Sequence, residues 1–225
     1  MIGSLMFALH KSRRDLLKLG AAGFVLAAIQ PIGLTPVSAQ NARVDVEQLM
    51  AEGALPDVVE GQANAPITIV EYASMTCSHC AAFANNVYPT LKSKYIDTGK
   101  VKYILREFPL DPLATAGFML ARCAGDKREA MIALLFAQQK NWAFVDKPLD
   151  GLSNVVKQTG MSQESFEKCL KDQALYDKVN LVRDRGAEKF GVNATPTFFI
   201  NGKRVSGEMT VDQLDKEITP LLPKG

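Results

Sequence analysis

Cys77 and Cys80 stand two residues apart, with Ser78 and His79 between them. An apolar run, Ile67 to Ala73, leads into this stretch, and a helix-compatible segment from Ala81 to Tyr88 follows it. A thiol at a strand-to-helix junction meets unpaired backbone N–H groups and the positive end of the helix dipole, both of which favour an anion. Cys77 is therefore expected to have a lowered pKa and to act as a nucleophile near neutral pH. Cys80, one turn further in, is close enough to resolve a mixed disulfide. His79 adds an imidazole on the first helical turn, where its N–H can stabilise the Cys77 thiolate and so make the disulfide more oxidising. The chemistry implied is thiol–disulfide exchange. A zinc site is the rival use of such a pair, but it needs two further ligands at close spacing. Beyond residue 39 only His79, Cys123 and Cys169 are left to supply them, so no metal is expected.

The elements around the motif must hold it in place. Residues 67–73 read as a strand, followed by a helix running to about Tyr95 and kinked at Pro89. After Gly99, Val101 to Glu107 read as a second strand, which makes a βαβ crossover with a largely buried parallel pair. Asp111-Pro112 opens a helical block. In it Leu113, Ala116, Leu120 and Cys123 share one helical face, and Met131, Leu134, Leu135 and Gln138 continue the rhythm. Ser162 can cap a helix whose apolar face is Phe166, Cys169 and Leu170, and Leu175, Val179, Val182 and Gly186 mark another. The period then changes to that of strands. Thr197 to Ile200 and Lys203 to Val205 flank Asn201-Gly202, a strong hairpin signal. Thr210 and Gln213 fit a capping box that opens a last helix through Ile218. Trp142, Phe144 and the stretch from Met131 to Phe136 are assigned to the core. Val44 to Met50 fits either a turn of helix or an edge strand.

This order, with Cys77 and Cys80 after the first strand and Thr195-Pro196 before the hairpin, resembles a thioredoxin-like α/β fold with an inserted all-helical domain. More narrowly it resembles the DsbA family of periplasmic thiol:disulfide oxidoreductases, over roughly residues 60 to 222. The family motif Cys-x-His-Cys is matched by Cys77, His79 and Cys80. Pro196 stands at the family's cis-proline, which would present the backbone of Thr195 to an extended substrate beside Cys77. Glu71 stands at its acidic position six residues before the first cysteine, and a partly buried carboxylate there would relay protons for Cys80. Two positions depart from the pattern of the family's best-known oxidants: Ser78 where they have Pro, and Thr195 where they often have Val. Both bear on the reduction potential and on the direction of exchange. The resemblance implies unfolded or partly folded exported proteins as substrates and a membrane partner of the DsbB type for reoxidation. No bound cofactor is required, and a leader over 40–65 too short for a dimerisation domain points to a monomer. The rival readings are an isomerase or reductase using the same cysteines, and a non-catalytic binding module in which the pair is a static staple.

Cys123 and Cys169 are each expected on the apolar face of a helix in the inserted block. An even cysteine count in an exported chain favours a second, structural disulfide between them. The chain is read as a twin-arginine export signal over 1–39 (Arg13-Arg14, then a mild apolar run, with cleavage after Ala39) and a leader over 40–65. Residues 66–110 are read as the first half of the thioredoxin-like unit, 111–188 as the helical insertion and 189–225 as the second half. The signal carries four basic residues (Lys11, Arg13, Arg14, Lys18) and one acidic residue (Asp15), against totals of 26 and 24. The remainder is close to neutral, without the clustered positive charge that nucleic-acid binding requires.

Overall fold

The computed structural model describes residues 43–223. The export signal expected over 1–39 lies outside them. Five strands form one sheet: β1 (Val59–Glu60), β2 (Ile67–Ala73), β3 (Val101–Glu107), β4 (Thr197–Ile200) and β5 (Lys203–Ser206). Their order is β1-β3-β2-β4-β5, with β2 parallel to β3 and the other pairs antiparallel. All seven residues of β2 are buried, as suits a central strand covered on both faces. Ile67, Ile69 and Ala73 point to one face with Val101, Tyr103, Phe198 and Ile200. Val70 and Tyr72 point to the other with Ile104, Phe190 and Phe199.

The first face is covered by α2 (Ser78–Asn86), α3 (Tyr88–Leu91), α9 (Val211–Ile218) and the helical insertion between β3 and β4. The expected single helix from the cysteine motif to Tyr95 is divided at Val87. Pro89 falls in the first turn of α3, where its missing N–H is harmless, and a π-helical turn over Lys92–Ile96 completes the crossover. The second face is covered by α1 (Val46–Met50) and the C-terminal part of α8 (Gln173–Phe190). At Gly186 a Cβ would lie 2.7 Å from Tyr72 Cε1, so only glycine lets α8 approach the sheet this closely.

The insertion begins with α4 (Pro112–Cys123), capped by the Asp111 side chain, and continues through α5 (Arg128–Ala137), α6 (Pro148–Val156) and α7 (Gln163–Leu170) into α8. Ser162 caps α7 and the Thr210–Gln213 box opens α9, both as read from the sequence. The Asn201-Gly202 turn has positive φ at both residues, as a two-residue hairpin loop of this twist requires.

Several expectations are corrected. Residues 43–65, read as a leader, are packed into the domain: Leu49 is core, β1 pairs with β3, and Arg185 on α8 donates to the carbonyls of Ala51 and Gln48. Helix α6 had no place in the sequence reading, because its short apolar stripe begins after Pro148 in a polar stretch. Helix α8 runs two residues past the expected boundary at 188. The stripe read on α4 is displaced from the buried one. Residues Ala114, Thr115 and Gly117 to Ala121 are buried, while Leu113 and Ala116 are half-buried and Cys123 is exposed. Trp142 is fully buried and donates to the Leu135 carbonyl, whereas Phe144 stands 59 % exposed and is not core. Cys123 and Cys169 are joined, bringing the end of α4 to α7; Cys169 is buried.

Candidate active site

Cys77 is the N-cap of α2, with extended backbone angles, and its carbonyl accepts the first helical hydrogen bond from Ala81. The strand β2 ends at Ala73, and three residues, Ser74, Met75 and Thr76, carry the chain from there to the nucleophile. Both Cys77 and Cys80 are free thiols, the first half-buried and the second fully buried. Their environments drive them apart. Cys77 is held down at about 5, from an ordinary 9.0. The Cys80 thiol is the main cause, since it donates to the Cys77 thiolate; burial opposes it, and the Thr195 hydroxyl and the main-chain N–H groups of Cys80 and His79 assist. Cys80 is pushed far up by burial, by that same hydrogen bond and by the nearby Glu71 carboxylate.

The loop that precedes β4 closes the site from the other side. The Thr195–Pro196 peptide bond is cis, and the Cys77 thiol donates to the Thr195 carbonyl at 3.3 Å. Thr195 Oγ1 is buried without a hydrogen-bond partner among the described residues. Ser78 and His79 lie exposed on the first turn of α2. The imidazole expected to face the thiolate makes no hydrogen bond to it among the described residues; His79 acts on the sulfur through its main-chain N–H.

Glu71 stands on the same sheet face as Ile69 and Ala73, paired across to Leu105 and Phe198, and only 2 % of it is exposed. Desolvation, with a smaller push from the Cys77 charge, raises its pKa to about 8 against a hydrogen bond donated by the Tyr103 hydroxyl. An acid of this strength, near a buried thiol, can give and take a proton at neutral pH. A pocket of about 60 Å³ reaches Glu71 and is lined also by Glu60, Tyr88 and Tyr103. Tyr88 donates to Glu60 there.

The structure thus brings Cys77, Cys80, Thr195, Pro196 and Glu71 together. It also adds residues that sequence reasoning missed: Tyr103 on Glu71, and Gln139, whose amide donates to the carbonyls of Met75 and Cys77. Tyr103 was visible only as one apolar position of a strand, and Gln139 only as a polar residue after a helix. Among the described residues no three His, Cys, Asp or Glu side chains converge as metal ligands, and no helix is long and apolar enough to cross a membrane.

A Cys-x-x-Cys at a helix N-terminus, beside a Thr-Pro loop at the same end of a central mixed sheet, defines the thioredoxin class of fold. A family model described as Thioredoxin matches residues 54–219. A Rickettsia bellii protein named as a putative protein-disulfide oxidoreductase is 36 % identical over 152 residues, covering 65 % of this chain and 57 % of that one. A Bacillus anthracis protein named as a probable disulfide bond formation protein D is 28 % identical over 221 residues, covering 95 % of this chain and 100 % of that one. The crystal structure of Wolbachia pipientis alpha-DsbA1 superposes with a TM-score of 0.72 at 31 % identity, covering 79 % of this chain and 96 % of that one. The chain belongs to the thioredoxin family and, within it, is DsbA-like. It spans about three-fifths of the length of the Rickettsia relatives it matches.

Proposed function

We propose that this protein is exported to the periplasm and there passes a Cys77–Cys80 disulfide to exported proteins. The observation that carries the reading is the asymmetry of the two thiols: Cys77 is half-buried and held at about 5, while Cys80 is buried and held high. A stabilised Cys77 thiolate favours the dithiol form, and the disulfide is correspondingly oxidising.

The exchange balances in two steps. A substrate thiolate attacks Cys77 Sγ; the Cys77–Cys80 bond breaks, a Cys77–substrate bond forms, and Cys80 leaves with the electron pair. Glu71, largely protonated at neutral pH, supplies the proton that the buried Cys80 sulfur needs. A second substrate thiolate then attacks the substrate sulfur of the mixed disulfide, and Cys77 departs as a stable thiolate. The substrate has lost two electrons and the enzyme has gained them. Thr195, whose carbonyl lies beside Cys77 Sγ, offers main-chain contacts to an extended substrate, and Ser78 lies exposed beside the sulfur. Return to the disulfide requires an oxidant, which the family resemblance assigns to a membrane partner of the DsbB type. The twin arginines Arg13-Arg14 support export through the folded-protein route. The substrates are unfolded or partly folded exported chains, and the enzyme acts as a monomer without a cofactor.

The test is the equilibrium reduction potential of Cys77–Cys80 against glutathione. A value near about −120 mV marks a disulfide donor, and one near about −270 mV marks a reductant and overturns the reading. A Cys77→Ser variant that keeps full activity on client proteins would instead establish a binding module.

A further inference from the structure

We propose that Gln139 and Asp111, both contributed by the helical insertion, are positioning residues for the nucleophile: together they clamp the loop that carries Cys77. The proposal rests on the reading of Cys77 as the attacking thiol. Neither side chain works through the sulfur itself. They hold the backbone and the Thr76 side chain that deliver Cys77 to the start of α2.

The first grip comes from the middle of the insertion. Gln139 opens the 3₁₀ turn Gln139–Asn141 that follows α5, and it is 4 % exposed. Its Nε2 donates 2.8 Å to the Met75 carbonyl and 3.0 Å to the Cys77 carbonyl. A primary amide has two N–H groups, so both can be used at once. A buried amide of this kind is tolerated only because its donors are satisfied, and here the acceptors that satisfy them belong to the catalytic loop. The second grip comes from the start of the insertion. Asp111 caps α4 through Oδ1, 2.7 Å from the Ala114 N–H, and its Oδ2 accepts from Thr76 Oγ1 at 2.6 Å. One carboxylate therefore fastens the loop to the first turn of a long buried helix.

The two grips take hold of three consecutive residues, Met75, Thr76 and Cys77, with one contact from the insertion to each. What this secures is the placement of Cys77 at the N-cap, where the donors to its thiolate converge. The titratable groups facing Cys77 are Cys80 on α2 and Glu71 on β2, and their influence falls with distance as the loop loosens. The clamp also gives the insertion a part in the chemistry beyond packing. Gln139 lines an open groove with Ser78, Ala81 and Ala82 of α2, so the wall of that groove and the support of the nucleophile are the same residue.

The test uses the full-length dithiol protein with two single variants and their combination. Gln139→Met keeps length and bulk and removes both donors, and Thr76→Val removes the Asp111 grip at a half-buried position. The readouts are the thiolate absorbance titration of Cys77, its rate with a small aromatic disulfide, and thermal melting. Each variant should move the Cys77 midpoint upward, Thr76→Val about fivefold in the acid constant for its one hydrogen bond and Gln139→Met further for its two, with the double variant near their product. Each should also slow exchange at pH values at or below the midpoint, where the thiolate fraction falls. Variants that lower the melting temperature yet leave midpoint and rate unchanged would reduce both residues to structural roles and overturn the clamp. If Gln139→Met does not fold, Thr76→Val decides alone by the same criterion. A wild-type Cys77 that titrates as an ordinary thiol overturns the functional reading and the clamp together. A low wild-type midpoint that the variants do not move overturns the clamp alone.

Discussion

The Cys77 sulfur lies 3.3 Å from the carbonyl oxygen of Thr195, a residue 118 positions later in the chain. The same residue brings a hydroxyl that is buried and has no hydrogen-bond partner among the described residues. The hydroxyl is a donor available to the thiolate and helps to hold Cys77 down. Thr195→Val removes that donor and an otherwise orphaned polar atom in one change. Its melting temperature should equal or exceed that of the wild type, while the Cys77 midpoint rises above about 5 and the reduction potential becomes more negative. Ultraviolet titration and a glutathione equilibrium measure both, and an unmoved midpoint would remove the hydroxyl from the account.

Stability should depend on pH differently in the two redox forms. Glu71 is raised from 4.5 to about 8, so the folded state binds its proton more tightly; that contribution is intact below 4.5 and is lost as pH rises through about 8. Cys77 is lowered from 9.0 to about 5, so its contribution is absent at acid pH and grows as pH rises from about 5 to 9. In the dithiol form the two oppose each other over about pH 5 to 8. Joining Cys77 to Cys80 removes the cysteine's part and leaves the decline due to Glu71. The disulfide form should therefore lose stability across that interval while the dithiol form holds nearly level, and Glu71→Gln should flatten the disulfide curve. Thermal melts of both forms across this interval decide it; a disulfide form that gains on the dithiol form toward the alkaline end contradicts the assignment.

Glu107 ends β3 with no exposed surface and faces two guanidinium groups, Arg122 Nε at 2.7 Å and Arg128 Nη2 at 3.3 Å. Burial already pushes Arg128 below its ordinary pKa, with Glu107 the main opposing influence. Glu107→Ala leaves these cations without their carboxylate and should cost about 3–5 kcal/mol in urea unfolding, as breaking a buried pair does. A loss under about 1 kcal/mol, typical of exposed pairs, would mean the cluster is solvated in solution.

Cys123 and Cys169 stand 46 residues apart in sequence and join the end of α4 to α7. Replacing both with alanine should lower stability by roughly 3–4 kcal/mol through the enlarged unfolded ensemble. Iodoacetamide labelling of unreduced, denatured protein should spare both residues. Labelling of the pair would refute the linkage.

What the sequence determined by itself is what local forces decide. The strand patterns of β2 and β3, the Asn201-Gly202 turn, the Ser162 cap and the Thr210–Gln213 box all follow from side chains acting on backbone a few residues away, and all stand where the pattern put them. The dithiol at a helix N-terminus belongs with them, since its spacing alone places both sulfurs on one turn. The tertiary structure decided which side chains meet across the chain. Glu71 could have faced solvent until β3 and β4 paired on either side of β2 and Tyr103 came to its carboxylate. Gln139 looked like any polar residue after a helix until the insertion folded back onto the Cys77 loop. Phe144 and Cys123 carried apolar signals yet ended exposed, because burial is set by where neighbouring elements pack rather than by a residue's own hydrophobicity. Short-range periodicity and capping are written in adjacent residues, whereas contacts between residues 32 to 118 positions apart exist only once the sheet and the insertion have closed on each other.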